Sequence, residues 1–225
     1  MRNMKLVVST LGLLGAVAGS SSAVTLFSSS SYSRIEYDAL PVGVVVLLSQ
    51  NGGPVSATSN GLGISSTTNN GGTAPIRAEL DALTAGSVDI INTHSDATAI
   101  AGAWNILLKN NTNSAKTMSI MWHWSVAALA IADTNDTAFA YATSSIGGNV
   151  ISDFKQEFVV SPDNLFASGD NTYPITIQPN GIAFISVSAT AGGTADIANI
   201  PEPGAIAMLI GAGISVTALL RRRRK

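Results

Sequence analysis

Thr117-Met118-Ser119-Ile120-Met121-Trp122-His123-Trp124-Ser125-Val126 is the stretch that decides the fold. Its even positions, Met118, Ile120, Trp122, Trp124 and Val126, are all apolar. Its odd positions, Thr117, Ser119, Met121, His123 and Ser125, are mostly polar. Successive side chains of a strand point to opposite faces, so this alternation describes a strand with one face on a core. It places Trp122 and Trp124 inward and His123 outward. Ala127–Ala132 reads equally as a continuation of the strand or as a turn into an alanine-rich segment.

Working outward, Val42–Leu48 is a β-branched run that reads as a strand buried on both faces. Gly61–Thr67, Ser87–Thr93, Trp104–Lys109, Ala138–Thr143, Phe154–Val160, Tyr173–Gln178 and Ile182–Ala189 are further strand candidates. Asn-Gly at 51–52, 60–61 and 70–71 predicts tight hairpins, because both central residues of the favoured turn need φ > 0. Pro179-Asn180-Gly181 predicts a hairpin between the last two strands. Ile76–Ala85 reads as the one helix, with Ile76, Leu80 and Leu83 at i, i+4 and i+7 and Gly86 as a stop. The serine-rich Val24–Ser33 reads as a loose leader or a first edge strand, and Ala191–Ile200 as a flexible spacer. Short strands with Gly/Asn/Pro turns and almost no helix predict an all-β fold, a β-sandwich of Ig-like or Greek-key type.

The two ends have a different character. Arg2 and Lys5 precede an apolar stretch, Leu6–Ala18, followed by Ser21-Ser22-Ala23. A basic start, a short apolar core and small residues before a cut after Ala23 describe a secretory signal peptide over residues 1–23. An uncleaved anchor is the alternative. At the other end Pro201-Glu202-Pro203 precedes an unbroken apolar run, Gly204–Leu220, and then Arg221-Arg222-Arg223-Arg224-Lys225. As a helix the run spans roughly 25 Å, near the lower limit for crossing a bilayer. The terminal cations are retained on the cytoplasmic side. Residues 24–200 are thereby expected outside the cytoplasmic membrane.

This tail, residues 201–225, resembles the PEP-CTERM sorting signal of exosortase substrates, which has a Pro-Glu-Pro motif, one hydrophobic helix and an Arg-rich end in that order. The resemblance covers only the tail. It implies export by the general secretion machinery with removal of the leader by signal peptidase. The chain is then held transiently in the inner membrane and cut near Pro201, Glu202 and Pro203 by an exosortase-type membrane protease or transpeptidase. The product goes to the cell surface or the extracellular space, and the family implies an association with exopolysaccharide and biofilm. A plain tail anchor with no processing is the alternative.

Of the 12 Lys and Arg residues, two lie in the leader and five in the tail; all 14 acids lie between Glu36 and Glu202. The exported part is therefore strongly acidic, which argues against binding nucleic acid by charge. The absence of cysteine excludes disulfides, thiolate metal sites and a cysteine nucleophile.

No residue pattern calls for catalysis, a metal or a cofactor. His94 and His123 are the only histidines, and both read as solvated surface groups without a Gly-x-Ser-x-Gly elbow or a His-Glu-x-x-His motif. Asp81, Asp89 and Asp96 are the nearest to a glycosidase carboxylate set. Asp133-Thr134-Asn135-Asp136 and Ser168-Gly169-Asp170-Asn171 offer hard oxygen ligands for calcium, but read first as turn formers. Asn110-Asn111-Thr112 and Asn135-Asp136-Thr137 match the glycosylation sequon. Two functions follow as expectations. The first is a non-enzymatic, exported surface or matrix protein. The second is an exported carbohydrate-binding module or polysaccharide hydrolase carrying the same tail, with Trp104, Trp122 or Trp124 stacking on sugar.

Overall fold

A computed structural model describes residues 25–37, 39–73, 76–88, 94–132 and 136–197, with the side chains of 70–73, 76 and 77 excepted. The leader, the Pro-Glu-Pro tail and Asp89 lie outside the described residues. Eleven strands follow in order: β1 (Thr25–Glu36), β2 (Val44–Asn51), β3 (Ser56–Asn60), β4 (Ile64–Thr73), β5 (Ile76–Val88), β6 (His94–Asn110), β7 (Lys116–Ile131), β8 (Thr137–Gly148), β9 (Asp153–Val160), β10 (Asp163–Ile177) and β11 (Ile182–Asp196). They form two packed antiparallel sheets. Sheet A has the order β10-β7-β1-β5-β4, and sheet B the order β2-β6-β11-β8-β9, with β3 beside β2 on β6. The described residues are all-β, in two sheets packed against each other. No helix among the described residues is long and apolar enough to cross a membrane.

The decisive stretch is β7, and it continues without a turn through the alanines to Ile131. Met118, Ile120, Trp122 and Val126 are buried, as are Ala128 and Ala130. Trp122 is fully enclosed and donates its indole N–H to Ser33 Oγ at 2.9 Å. Trp124 is only partly buried against the core.

Several segments differ from their sequence reading. The expected helix at Ile76–Ala85 is strand β5, in which Ala78, Leu80 and Ala82 share the buried face. These residues also satisfy a period of two, and pairing with β1 and β4 on both sides outweighs helix propensity. The serine-rich segment is the centre of sheet A, between β5 and β7. Its inward serines are small enough for the space between sheets, and each finds a partner. Ser29 bonds Thr84 Oγ1 at 2.7 Å and the Gly192 carbonyl at 3.0 Å; Ser31 donates to the Thr143 carbonyl; Ser33 receives Trp122. Buried hydroxyls are tolerated where they are hydrogen-bonded. This polar belt lies between a large core cluster around Trp122 and a small one around Phe27.

Ala191–Asp196, expected to be a spacer, is the buried end of central strand β11. Val42–Leu48 contributes to β2, an edge strand with Val45 and Leu47 exposed rather than a strand buried on both faces. The predicted Asn-Gly and Pro-Asn-Gly hairpins do not join neighbouring strands. Asn60-Gly61 and Pro179-Asn180-Gly181 carry the chain from one sheet to the other, and Asn70-Gly71 lies within β4. Gly102, at φ +79°, sits where β6 changes partner from β2 to β3, and a side chain there would be strained.

The first and last strands are both central, and their free ends lie at the same pole. Thr25 donates to Asp136 Oδ2 at 2.7 Å, while Asp196 stands opposite Thr137 on one side and His94 on the other. The opposite pole is closed by Asn110. Its buried amide donates to the carbonyls of Ser114, Ile177 and Gln178, and its oxygen accepts from Thr112.

Candidate functional site

Charge concentrates on the outward face of sheet A. The strand registers set Asp170, His123, Arg34 and Glu79 abreast across β10, β7, β1 and β5. Tyr32 stands opposite Asp81 in the next row. His123 is held between two carboxylates, with Asp170 on Nδ1 and Glu36 on Nε2 at 3.1 Å. Its side chain is only 19 % exposed, so it is not the solvated group expected from sequence. Arg34 also pairs with Glu36. Burial works against the charge on Glu36, but the bonds from Arg34 and His123 hold its carboxyl below the ordinary range.

Glu79 and Asp81 are two positions apart on β5 and so share this face, about 7 Å apart along the strand. Tyr32 donates to Glu79 at 3.3 Å, and its hydroxyl is pushed up to about 12 by burial and then by Glu79. Burial, with Glu79 adding, raises Asp81 to about 6. Its Oδ1 has no hydrogen-bond partner. This half-buried, readily protonated carboxyl is the most perturbed acid among the described residues. It lies on a broad sheet surface tied together by the Arg34, Glu36 and His123 bonds.

The other sequence candidates separate. Asp96 is at the pole of the chain ends, where His94 bonds Asp196 and, at 3.1 Å, Asp96. The bond to Asp196, more than the one to Asp96, raises His94 above its ordinary value. Asp96 and Asp81 therefore do not face each other across a cleft. In the Ser168–Asn171 cluster Asp170 turns to His123, while the Asn171 amide donates to Asp153 and Tyr173 on the other side of β10. Their oxygens do not converge on one cation. Of the second cluster only Asp136 is described, and it accepts from Thr25. No group of His, Asp and Glu among the described residues could hold a metal. Asn110 of the first sequon is buried and fully engaged, which leaves no amide for a glycan.

The tryptophans do not form a sugar platform. Trp122 is sealed in the core, Trp104 donates to Ser49 Oγ at 2.9 Å, and the Trp124 ring is capped by Lys155 Nζ 5.3 Å from its centroid. Lys155 is paired with Asp153 at 3.1 Å, and burial of Asp153 is overcome by bonds from Tyr173 and Lys155 that lower its carboxyl. The exposed aromatics are instead Phe154, Phe158 and Phe184 on sheet B and Phe166 on the β10 edge of sheet A. The sequence reading took Phe154–Val160 as a strand but not as an edge. The signal it passed over is the spacing of Phe154, Gln156, Phe158 and Val160 on one face.

In comparisons with known proteins, no family model, no curated protein and no solved structure matches this chain.

Proposed function

We propose that this chain is an exported, non-enzymatic surface or extracellular-matrix protein, sorted through its Pro201-Glu202-Pro203 tail and acting with exopolysaccharide. In this reading residues 1–23 form a signal helix and residues 201–225 a transmembrane sorting helix. Between them lies a single domain of Ig-like or Greek-key type. The carrying observation is that the first described strand starts at Thr25 and the last ends at Asp196, with both of these ends at one pole. The two sequence signals therefore flank a body whose ends leave side by side toward one membrane. Both outer sheet faces and the opposite pole are left for contacts in the matrix.

Intact-mass measurement of the surface-associated protein tests the reading. The expected form runs from Val24 to near Pro203. Recovery with Arg221–Lys225 still attached would overturn sorting and leave a plain anchor.

One observation favours the enzymatic alternative, the raised acid Asp81 beside Glu79, because perturbed carboxyls concentrate at functional sites. Both belong to one strand and line one face rather than opposing walls, so they do not flank a glycosidic bond as hydrolysis requires. Incubating the protein with polysaccharide from the producing cells should release no new reducing ends. Turnover that vanishes in Asp81→Asn would establish the hydrolase instead.

A further inference from the structure

Among the described strands, five lie along the four sheet edges, and three of these edges are interrupted. β2 and β3 are separated by Gly52-Gly53-Pro54, β4 contains Gly71-Gly72, and β10 contains Gly169 and Pro174. Glycine and proline at an edge weaken its ability to template another strand. β9 contains neither and pairs on one side only, with β8. Its outward row, Phe154, Gln156, Phe158 and Val160, is uncharged and open, with Phe154 56 % and Phe158 51 % exposed. Phe158 is already packed on Phe139, with ring centroids 6.0 Å apart.

An inward charge such as Lys155 ordinarily protects an edge, because an approaching strand would have to bury it. The centre of β9 removes that protection toward one partner, its own copy. Phe154-Lys155-Gln156-Glu157-Phe158 is a palindrome in which the two charges are opposite in sign. We propose that this protein dimerises by antiparallel pairing of β9 with β9 of a second copy, with Gln156 opposite Gln156 on a two-fold axis. Residues directly opposite in an antiparallel pair lie on the same side of the sheet. Each Phe154 then meets Phe158 of the second copy on the outer face, and each Lys155 meets Glu157 of the second copy on the inner face. Glu157 makes no ion pair among the described residues, so the dimer supplies one. A two-fold interface uses the same patch on both copies and closes on itself. It joins the two six-stranded sheets into one and covers Phe154 and Phe158.

The chain has no cysteine, so introduced thiols report without background. In the full-length chain purified in detergent, Gln156→Cys should form a disulfide dimer under mild oxidation far faster than exposed Ser168→Cys on β10. Phe154→Cys alone should not link to itself, because the register separates the two copies of residue 154 by about 13 Å, beyond disulfide reach. Phe154→Cys mixed with Phe158→Cys should link. Lys155→Glu and Glu157→Lys each set like charges opposite one another and should each weaken self-association about tenfold. Mixing these two variants restores opposite charges at both contacts and should restore the dimer. Circular dichroism matching the parent protein would show that each variant is folded.

Equal linking at Gln156→Cys and Ser168→Cys would overturn the proposal, as would self-linking of Phe154→Cys or failure of the mixed charge variants to associate. A folded chain that stays monomeric while Gln156→Cys links to a different cellular protein would overturn it in favour of a foreign strand.

Discussion

The outer face of sheet A and the β8–β9 side of sheet B are built from opposite materials. On sheet A, Arg34, Glu36, Glu79, Asp81, His123 and Asp170 lie on adjacent strands, and His123 ties β10 to β1 through two carboxylates. On sheet B, the outward side chains of β8 and β9 are Phe, Tyr, Thr, Ser, Gln, Val and Gly, and none carries a charge. Ser145 and Ser188 satisfy each other there at 2.7 Å, and Tyr141 lies over Gly192. Charges on sheet A are spent largely on one another, which knits the strands and leaves little for a ligand. Sheet B saturates nothing at its β9 edge and leaves phenylalanine in solvent. The difference teaches that the charged face of sheet A is the self-sufficient one, and that the uncharged β8–β9 side of sheet B is where this protein has most to gain by contact.

That comparison presumes one rigid core under both faces, and the largest expected effect tests it. Trp122 is fully buried and anchors Ser33, the inward residue between Tyr32 and Arg34. Trp122→Ala should cost about 3–5 kcal/mol, the range for a large aromatic deleted from a core. Thermal unfolding should show the fall. An unchanged melting temperature would mean that the faces are held by their own surface contacts.

A smaller effect separates the face of sheet B from what lies beneath it. Gly192 and Gly193 are neighbours on β11 that look in opposite directions. A Cβ at Gly193 would stand 2.6 Å from the Phe139 carbonyl oxygen and press on the buried Phe27 ring, so backbone must move. Gly193→Ala should destabilise by about 1–3 kcal/mol through overpacking. At Gly192 the obstacle is the Tyr141 ring on the outer surface, which can swing aside. Gly192→Ala should cost less than about 1 kcal/mol. Equal losses in denaturant titrations would show that the outer aromatic is as firmly packed as the core.

Alternation made part of this arrangement legible. The period of two in Thr117–Val126 gave a strand with Trp122 inward, and the turn-rich, helix-poor chain gave an all-β fold. The same period was present in Ala78-Leu80-Ala82 but was masked by the helical spacing of Ile76, Leu80 and Leu83, of which Leu83 falls on the opposite face of the strand from Leu80. Serine at 28–31 carried a surface signature. Its burial depends on the partners Thr84, Gly192 and Thr143, which lie 55 to 163 residues away and leave no local trace. The environment of His123 was hidden for the same reason: Glu36 and Asp170 reach it only through pairing of β7 with β1 and β10. Export signals, by contrast, are read in order along the chain and need no fold to be seen.

The smallest expected effect concerns a carboxylate at which the lattice on sheet A is incomplete. Asp81 stands beside Glu79 with an oxygen that nothing bonds, and burial raises its carboxyl to about 6 from an ordinary value near 4. A carboxyl raised on folding binds its proton more tightly in the native state than in the unfolded chain. Below the ordinary carboxylate range both states are protonated and Asp81 costs nothing. As pH rises the unfolded chain ionises first, so the penalty on the native state grows and is complete above about 6. Asp81→Asn keeps the shape and removes the charge. It should therefore stabilise the protein at pH 8 by on the order of 1 kcal/mol, after allowance for solvent reaching this face. The gain should shrink as pH falls from 6 and vanish near 4. Melting curves of parent and variant across that range decide the matter. A gain constant with pH would place the benefit in something other than charge. A loss at pH 8 would mean that ionised Asp81 is stabilised by a bond to a neighbour, making the charged face complete rather than incomplete at this residue.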